Sequence, residues 1–64
     1  MSIHDRIKFA RQHVGMSGLQ VKEQTGIGES SLSEFERGKR APSISQLKKL
    51  AEVYRRSISF FLDD

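Results

Sequence analysis

The sequence predicts an all-α fold, a compact five-helix domain, on three observations. Apolar residues recur at three- and four-residue spacing, and no useful stretch alternates with the period of two that a half-buried strand needs. A serine or glycine able to cap a helix stands before each helical stretch: Ser2, Ser17, Gly28, Ser43 and Ser57. A glycine closes each of the first three: Gly15, Gly26 and Gly38.

The first helix is expected from about Ile3 to Val14, with Ile3, Ile7, Ala10 and Val14 as its inner stripe and Phe9 off it. The second is expected from about Gly18 to Thr25. Ser17 and Gln20 have capping-box spacing, and Met16 and Val21 stand where a hydrophobic staple would. The third is expected from about Glu29 to Arg37, with Gly28 as cap and Ile27 and Leu32 at the staple positions. "KRAP" is a loop, because Pro42 keeps Ala41 out of helical conformation. Ser43 and Gln46 form another capping box. Ile44, Leu47, Leu50, Ala51 and Tyr54 are the predicted inner face of the fourth helix. Ser57 can cap a last short helix, "ISFFL".

A chain of 64 residues makes one domain at most, here residues 1–64, and its stability is expected to be marginal. There is no room for an enclosed catalytic cleft beside a core. With no cysteine, neither a disulfide framework nor a thiolate zinc site is available. His4 and His13 lack a third metal ligand at suitable spacing, no nucleophile-elbow glycines accompany the serines, and "GIG" lacks the lysine of a phosphate loop. No enzyme, cofactor or metal site is expected. No apolar run approaches bilayer length, and the N-terminus is charged throughout without a signal-peptide core, so a cytoplasmic location and no membrane partner are expected.

The net charge of +3 is unevenly spread. Residues 1–36 carry net −1, residues 37–56 carry net +6, and the last eight carry −2. A positive field gathered in one part of the chain favours a polyanionic partner. The helices joined by "TGIG" form a helix-turn-helix over about residues 17–38, with Gly26 supplying the positive φ of the turn. The third helix, "ESSLSEFER", nevertheless carries three glutamates and one arginine, an odd charge for a segment laid against phosphates.

From Ile3 to Leu62 the chain resembles the lambda-repressor-like, Xre/Cro-type helix-turn-helix family. "RIKFAR", "GMS", "TGIGESSLSEFERGKRAPS" and "LKKLAEVYRRSISFFL" carry the resemblance. It implies a cytoplasmic regulator of bacterial or phage type, most simply a repressor. Such a protein binds double-stranded DNA as a homodimer, with the third helix in the major groove. Carried over by position, Glu29, Ser30, Ser33 and Glu34 would face base edges, and Glu29 could accept from a cytosine amino group. Ser17 and Gly18 would meet phosphate at the start of the second helix, and Arg37, Lys39 and Arg40 would clamp the backbone. The resemblance also implies an internal pair between Arg11 and Glu36, which would take one acidic charge off the DNA-facing surface.

The sequence departs from the family pattern at four positions. Gly18 stands where a glutamine often contacts phosphate. Lys22 stands where alanine is usual, so its stem must cross the helix pair with its ammonium in water. Arg55 replaces a common glycine, and Arg56 a common apolar residue. Phe60, Phe61 and Leu62 cannot all face one small core; one or two of them, like Phe9, are expected to stay exposed and, rather than simply closing the core, to form a dimer or docking surface for a further C-terminal domain or protein partner. "LAEVYRRSISFFL" resembles this helix in Xre-type domains that precede ImmA/IrrE-type metallopeptidase domains. The alternative function is a protein-interaction module, antitoxin-like or the front domain of a larger regulator, with weak DNA binding.

Overall fold

A computed structural model describes residues 1–62. Five helices follow one another: α1 (Ile3–Val14), α2 (Gly18–Thr25), α3 (Glu29–Glu36), α4 (Ile44–Val53) and α5 (Ile58–Leu62). There is no strand among the described residues. None of the described helices is long and apolar enough to cross a membrane.

The helix starts are made by local hydrogen bonds. The Ser17 hydroxyl accepts from the Gln20 N–H at 3.1 Å, and the Gln20 side chain accepts from the Ser17 N–H at 2.8 Å. Ser43 and Gln46 repeat this at 3.1 and 2.9 Å. These reciprocal bonds satisfy donors that a helix start leaves unpaired. The Ser57 hydroxyl is instead 2.9 Å from that of Ser59, while Ser57 contributes its carbonyl to the first turn of α5.

The ends of α1, α3 and α4 share one device. After α3, the Gly38 N–H reaches the Phe35 carbonyl at 3.2 Å and the Lys39 N–H reaches that of Glu34 at 2.9 Å. After α1, Gly15 and Met16 bond back to Gln12 and Arg11 in the same way. This pattern needs one left-handed residue, and Gly38 (φ 74°) and Gly15 (φ 74°) supply it. The end of α4 repeats the pattern with Arg55 at φ 58°, bonded to Glu52, and Arg56 bonded to Ala51. The sequence therefore puts arginine where the backbone favours glycine, a conformation that costs an L-residue roughly 1–2 kcal/mol. The third helix stops at Glu36, with Arg37 as its cap, one residue earlier than the sequence predicts.

The core gathers Ile7 and Ala10 of α1, Val21, Ile27, Leu32 and Phe35 of the helix-turn-helix, Leu47, Leu50, Ala51 and Tyr54 around α4, and Phe61 of α5. α1 packs on α3 and α5, and α2 on α3 and α4, so α3 is held from two sides. Two inner-face assignments need correction. Val14 is 37% exposed and Ile44 is 59% exposed. Each is the terminal residue of its helix, and the core is filled from the middle turns.

The predicted apolar surface at the end of the chain also divides. Phe61 is 1% exposed and belongs to the core, so it cannot be part of a docking surface; Phe60 is half-buried and Leu62 is 53% exposed. Arg56 occupies its usually apolar position by stacking. Its guanidinium lies 4.5 Å from the Phe60 ring centre and 5.8 Å from that of Phe9.

Candidate nucleic-acid interface

The turn between α2 and α3 is fixed by Thr25 as well as by Gly26. The buried Thr25 hydroxyl donates to the Val21 carbonyl at 2.7 Å and accepts from the Ile27 N–H at 3.1 Å. Gly26, at φ 78°, closes α2 by donating to the Lys22 carbonyl at 2.8 Å. With Val21, Ile27, Leu32 and Phe35 buried beside it, the turn holds the two helices in one arrangement. Lys22 is exposed, so its ammonium does not crowd the helix pair. The polar role of Thr25 was not read from the sequence, although a threonine just before a turn glycine is a signal for it.

With its inner side so anchored, α3 turns the other side outward. Glu29, Ser30 and Ser33 are exposed, and Glu34 is half-buried beside them. An α-helix with its side chains is about 10–12 Å across, which fits the width of a B-DNA major groove. The start of α2 lies next to this face. A shallow depression is lined by Arg11, Gly18, Glu29, Leu32, Ser33 and Glu36. A Cβ built on Gly18 would stand 3.6 Å from a Glu29 carboxylate oxygen, so the glutamate lies over the position that lacks a side chain. Ser17 is exposed; its oxygen is committed to capping while its O–H remains able to donate.

The three glutamates of α3 have different surroundings. Glu36 turns inward to Arg11. The Arg11 Nε–H donates to Glu36 Oε2 at 2.6 Å and an Nη2–H to Oε1 at 3.0 Å, while Nη1 donates to the Met16 carbonyl at 2.9 Å. The two side chains are 21% and 10% exposed. The bidentate bond to Glu36, above all, holds the Arg11 guanidinium more firmly protonated than usual, against the opposing effect of burial. Tyr54 lies close enough to feel both charges. Its buried hydroxyl has no hydrogen-bond partner among the described residues, and burial raises its pKa strongly.

Glu34 turns toward the basic loop, where Arg40 folds back onto α3. An Arg40 Nη2–H donates to Ser31 Oγ at 3.0 Å, Nε is 3.9 Å from Glu34 Oε1, and the guanidinium carbon lies 5.3 Å from the Phe35 ring centre. No sequence signal pointed to Ser31, nine residues from Arg40. Glu29 alone of the three has no basic partner within salt-bridge distance among the described residues, and it sits in the first turn, where the helix dipole favours an acid. Arg37 and Lys39 are exposed on the loop side. Gly38 between them is packed against His4, whose ring atoms would lie 3.0–3.2 Å from a Cβ. His4 is thus half-buried against the loop rather than a free surface histidine, while His13 stacks on Phe9 with ring centres 5.7 Å apart.

A helix-turn-helix family model matches residues 7–61. Over 62 residues the chain is 37% identical to the HTH-type transcriptional regulator ImmR of Bacillus subtilis (strain 168), covering 97% of this chain and 49% of that protein. It is also 37% identical over 59 residues to the HTH-type transcriptional regulator PuuR of Escherichia coli (strain K12), covering 92% of this chain and 32% of that one. The chain therefore spans about half, or less, of the length of these curated relatives. Among solved structures, the N-terminal DNA-binding domain of SinR from Bacillus subtilis superposes with a TM-score of 0.87 at 36% identity, over 97% of this chain and 91% of that one. The P22 c2 repressor, in complex with synthetic operator 9T in the presence of Tl+, gives a TM-score of 0.90 over 98% and 96% of the two chains. At 19% identity, this is a likeness of fold.

Proposed function

We propose that this chain, which belongs to the helix-turn-helix family in its lambda-repressor-like (Xre/Cro-type) form, is the sequence-specific DNA-binding module of a transcriptional regulator. The carrying observation is the continuous polar face formed by the start of α2 and the outer side of α3. Exposed Arg37 and Lys39 lie at its far end, and Glu36 is withdrawn from it to Arg11. In this reading Glu29, Ser30 and Ser33 face base edges in the major groove, with Glu34 at the edge of that row. Ser17, the Gly18 N–H, Arg37, Lys39 and Arg40 hold phosphates. The role is one of binding, with no catalytic step and no cofactor.

The finer features of the reading are a repressor, a cytoplasmic location and a homodimer on two half-sites. Two copies would each place α3 in a major groove about one helical turn apart. Exposed Leu62 and Phe9, with half-buried Phe60, offer apolar area for that contact or for a further domain. A further domain agrees with relatives that extend well beyond the matched length.

Selection from a randomised double-stranded DNA pool at near-physiological salt tests the reading. A two-fold symmetric motif with C·G pairs opposite Glu29 is expected. Glu29→Gln should then change the preference at that pair by about 1–3 kcal/mol. No enrichment, with only weak binding that salt abolishes, would overturn sequence-specific reading by this chain.

A further inference from the structure

We propose that Glu34 is the internal counterion that Arg40 exchanges for a DNA phosphate. Glu34 then sets the affinity for every sequence and its salt dependence, and does not read a base. The inference rests on the DNA-binding reading and assigns one acidic residue of α3 a role within it.

Three contacts of one guanidinium carry it. Arg40 donates to Ser31 Oγ at 3.0 Å, lies 3.9 Å from Glu34 Oε1 and stacks over Phe35 at 5.3 Å. All three partners are on α3, so the basic loop is folded against the helix it would flank on DNA. A guanidinium has five N–H donors in a fixed fork, and only one of them is engaged at hydrogen-bond distance here. The remaining donors can meet a phosphate as Arg40 leaves Glu34.

The strength of the Glu34 contact suits exchange. The pair is 3.9 Å apart, with side chains 52% and 43% exposed, and such exposed pairs hold weakly. A phosphate offers a charge-assisted, bidentate alternative that a carboxylate 3.9 Å away does not. Glu34 therefore keeps Arg40 ordered along α3 and neutralised until DNA supplies a better anion. Giving up the Glu34 contact is then the same cost on every base sequence.

The test is a two-by-two set: this chain, Glu34→Gln, Arg40→Ala and the double variant. Each is titrated against the pool-selected duplex and a scrambled duplex over a salt series, with folding checked by circular dichroism. Glu34→Gln should bind both duplexes about two- to fivefold more tightly, the range an exposed ion pair is worth. Its log-affinity against log-salt slope should steepen by up to about one unit. That gain should largely vanish when Arg40 is already alanine. An equal gain in both backgrounds would reduce Glu34 to simple charge repulsion and overturn the exchange. A gain or loss confined to the pool-selected duplex would make Glu34 a base reader and overturn it equally. If the unaltered chain binds neither duplex, the DNA-binding reading fails first and the exchange falls with it.

Discussion

The two ion pairs of α3 use the same chemistry and come to opposite ends. On the inner side, Glu36 and Arg11 meet through two short hydrogen bonds, the arginine spends a third donor on a carbonyl, and both side chains are largely covered. On the outer side, Glu34 and Arg40 stand 3.9 Å apart and about half exposed. Burial separates them. Away from water, an unpaired charge is costly, so the inner pair cannot open without loss of structure. In water either outer partner can take another ion at little cost. One pair ties α1 to α3; the other leaves an arginine free to be redirected.

The largest expected effect breaks the inner pair. Arg11→Ala strands the Glu36 carboxylate and should cost roughly 3–5 kcal/mol in denaturant unfolding, enough to threaten a domain of this size. A cost below about 1 kcal/mol would erase the distinction between the two sides.

Next comes Gly38, which tests whether the outer loop is loose throughout. It needs a left-handed backbone and also lies against the His4 ring, where a Cβ would stand at 3.0 Å. Gly38→Ala should cost at least about 1–2 kcal/mol, read as a lower thermal midpoint. Little change would mean that the His4 contact gives way easily and that the loop is mobile as a whole.

A smaller effect is expected at Tyr54, on the inner side. Its hydroxyl is buried without a hydrogen-bond partner among the described residues, so Tyr54→Phe should be neutral or stabilising by up to about 1 kcal/mol. The pH dependence has a definite sign. Burial and the Glu36 charge raise the phenol pKa, partly offset by Arg11. The folded state therefore keeps a proton that the unfolded chain releases above about pH 10. The Tyr54 contribution is intact below that pH and is lost as pH rises further. Alkaline unfolding curves should fall less steeply for Tyr54→Phe than for the parent chain.

The smallest effect on stability belongs to Arg40→Ala, at or below about 1 kcal/mol, even though this change should weaken DNA binding. A stability loss near that of Arg11→Ala would show that the outer arginine is a structural brace, and the comparison would fail.

Much of this arrangement was legible in the chain because its causes are local. The capping boxes of Ser17 and Ser43 close over three residues, and the left-handed turns at Gly15, Gly26 and Gly38 need only the absence of a Cβ. Arg55 shows the same logic from the other side: the backbone follows its helix-ending pattern even where the residue type resists it. The positions of the proposed interface came from the family resemblance, and Ser17, Glu29, Ser30 and Ser33 are exposed as that reading requires. The Arg11–Glu36 pair spans 25 positions, and only the family resemblance implied it.

By itself, the sequence determined where each helix begins and where the first three are turned back, because caps, staples and left-handed residues act within one turn of backbone. The tertiary structure alone decided which apolar side chains are covered: Phe61 enters the core, Leu62 beside it stays out, and Val14 and Ile44, at the ends of their stripes, are left exposed. It alone also placed Arg40 on Ser31, Glu34 and Phe35 rather than in open solvent. Burial and long-range pairing depend on which surfaces meet after the helices have formed, and helical spacing fixes only the side of its own helix on which a residue stands.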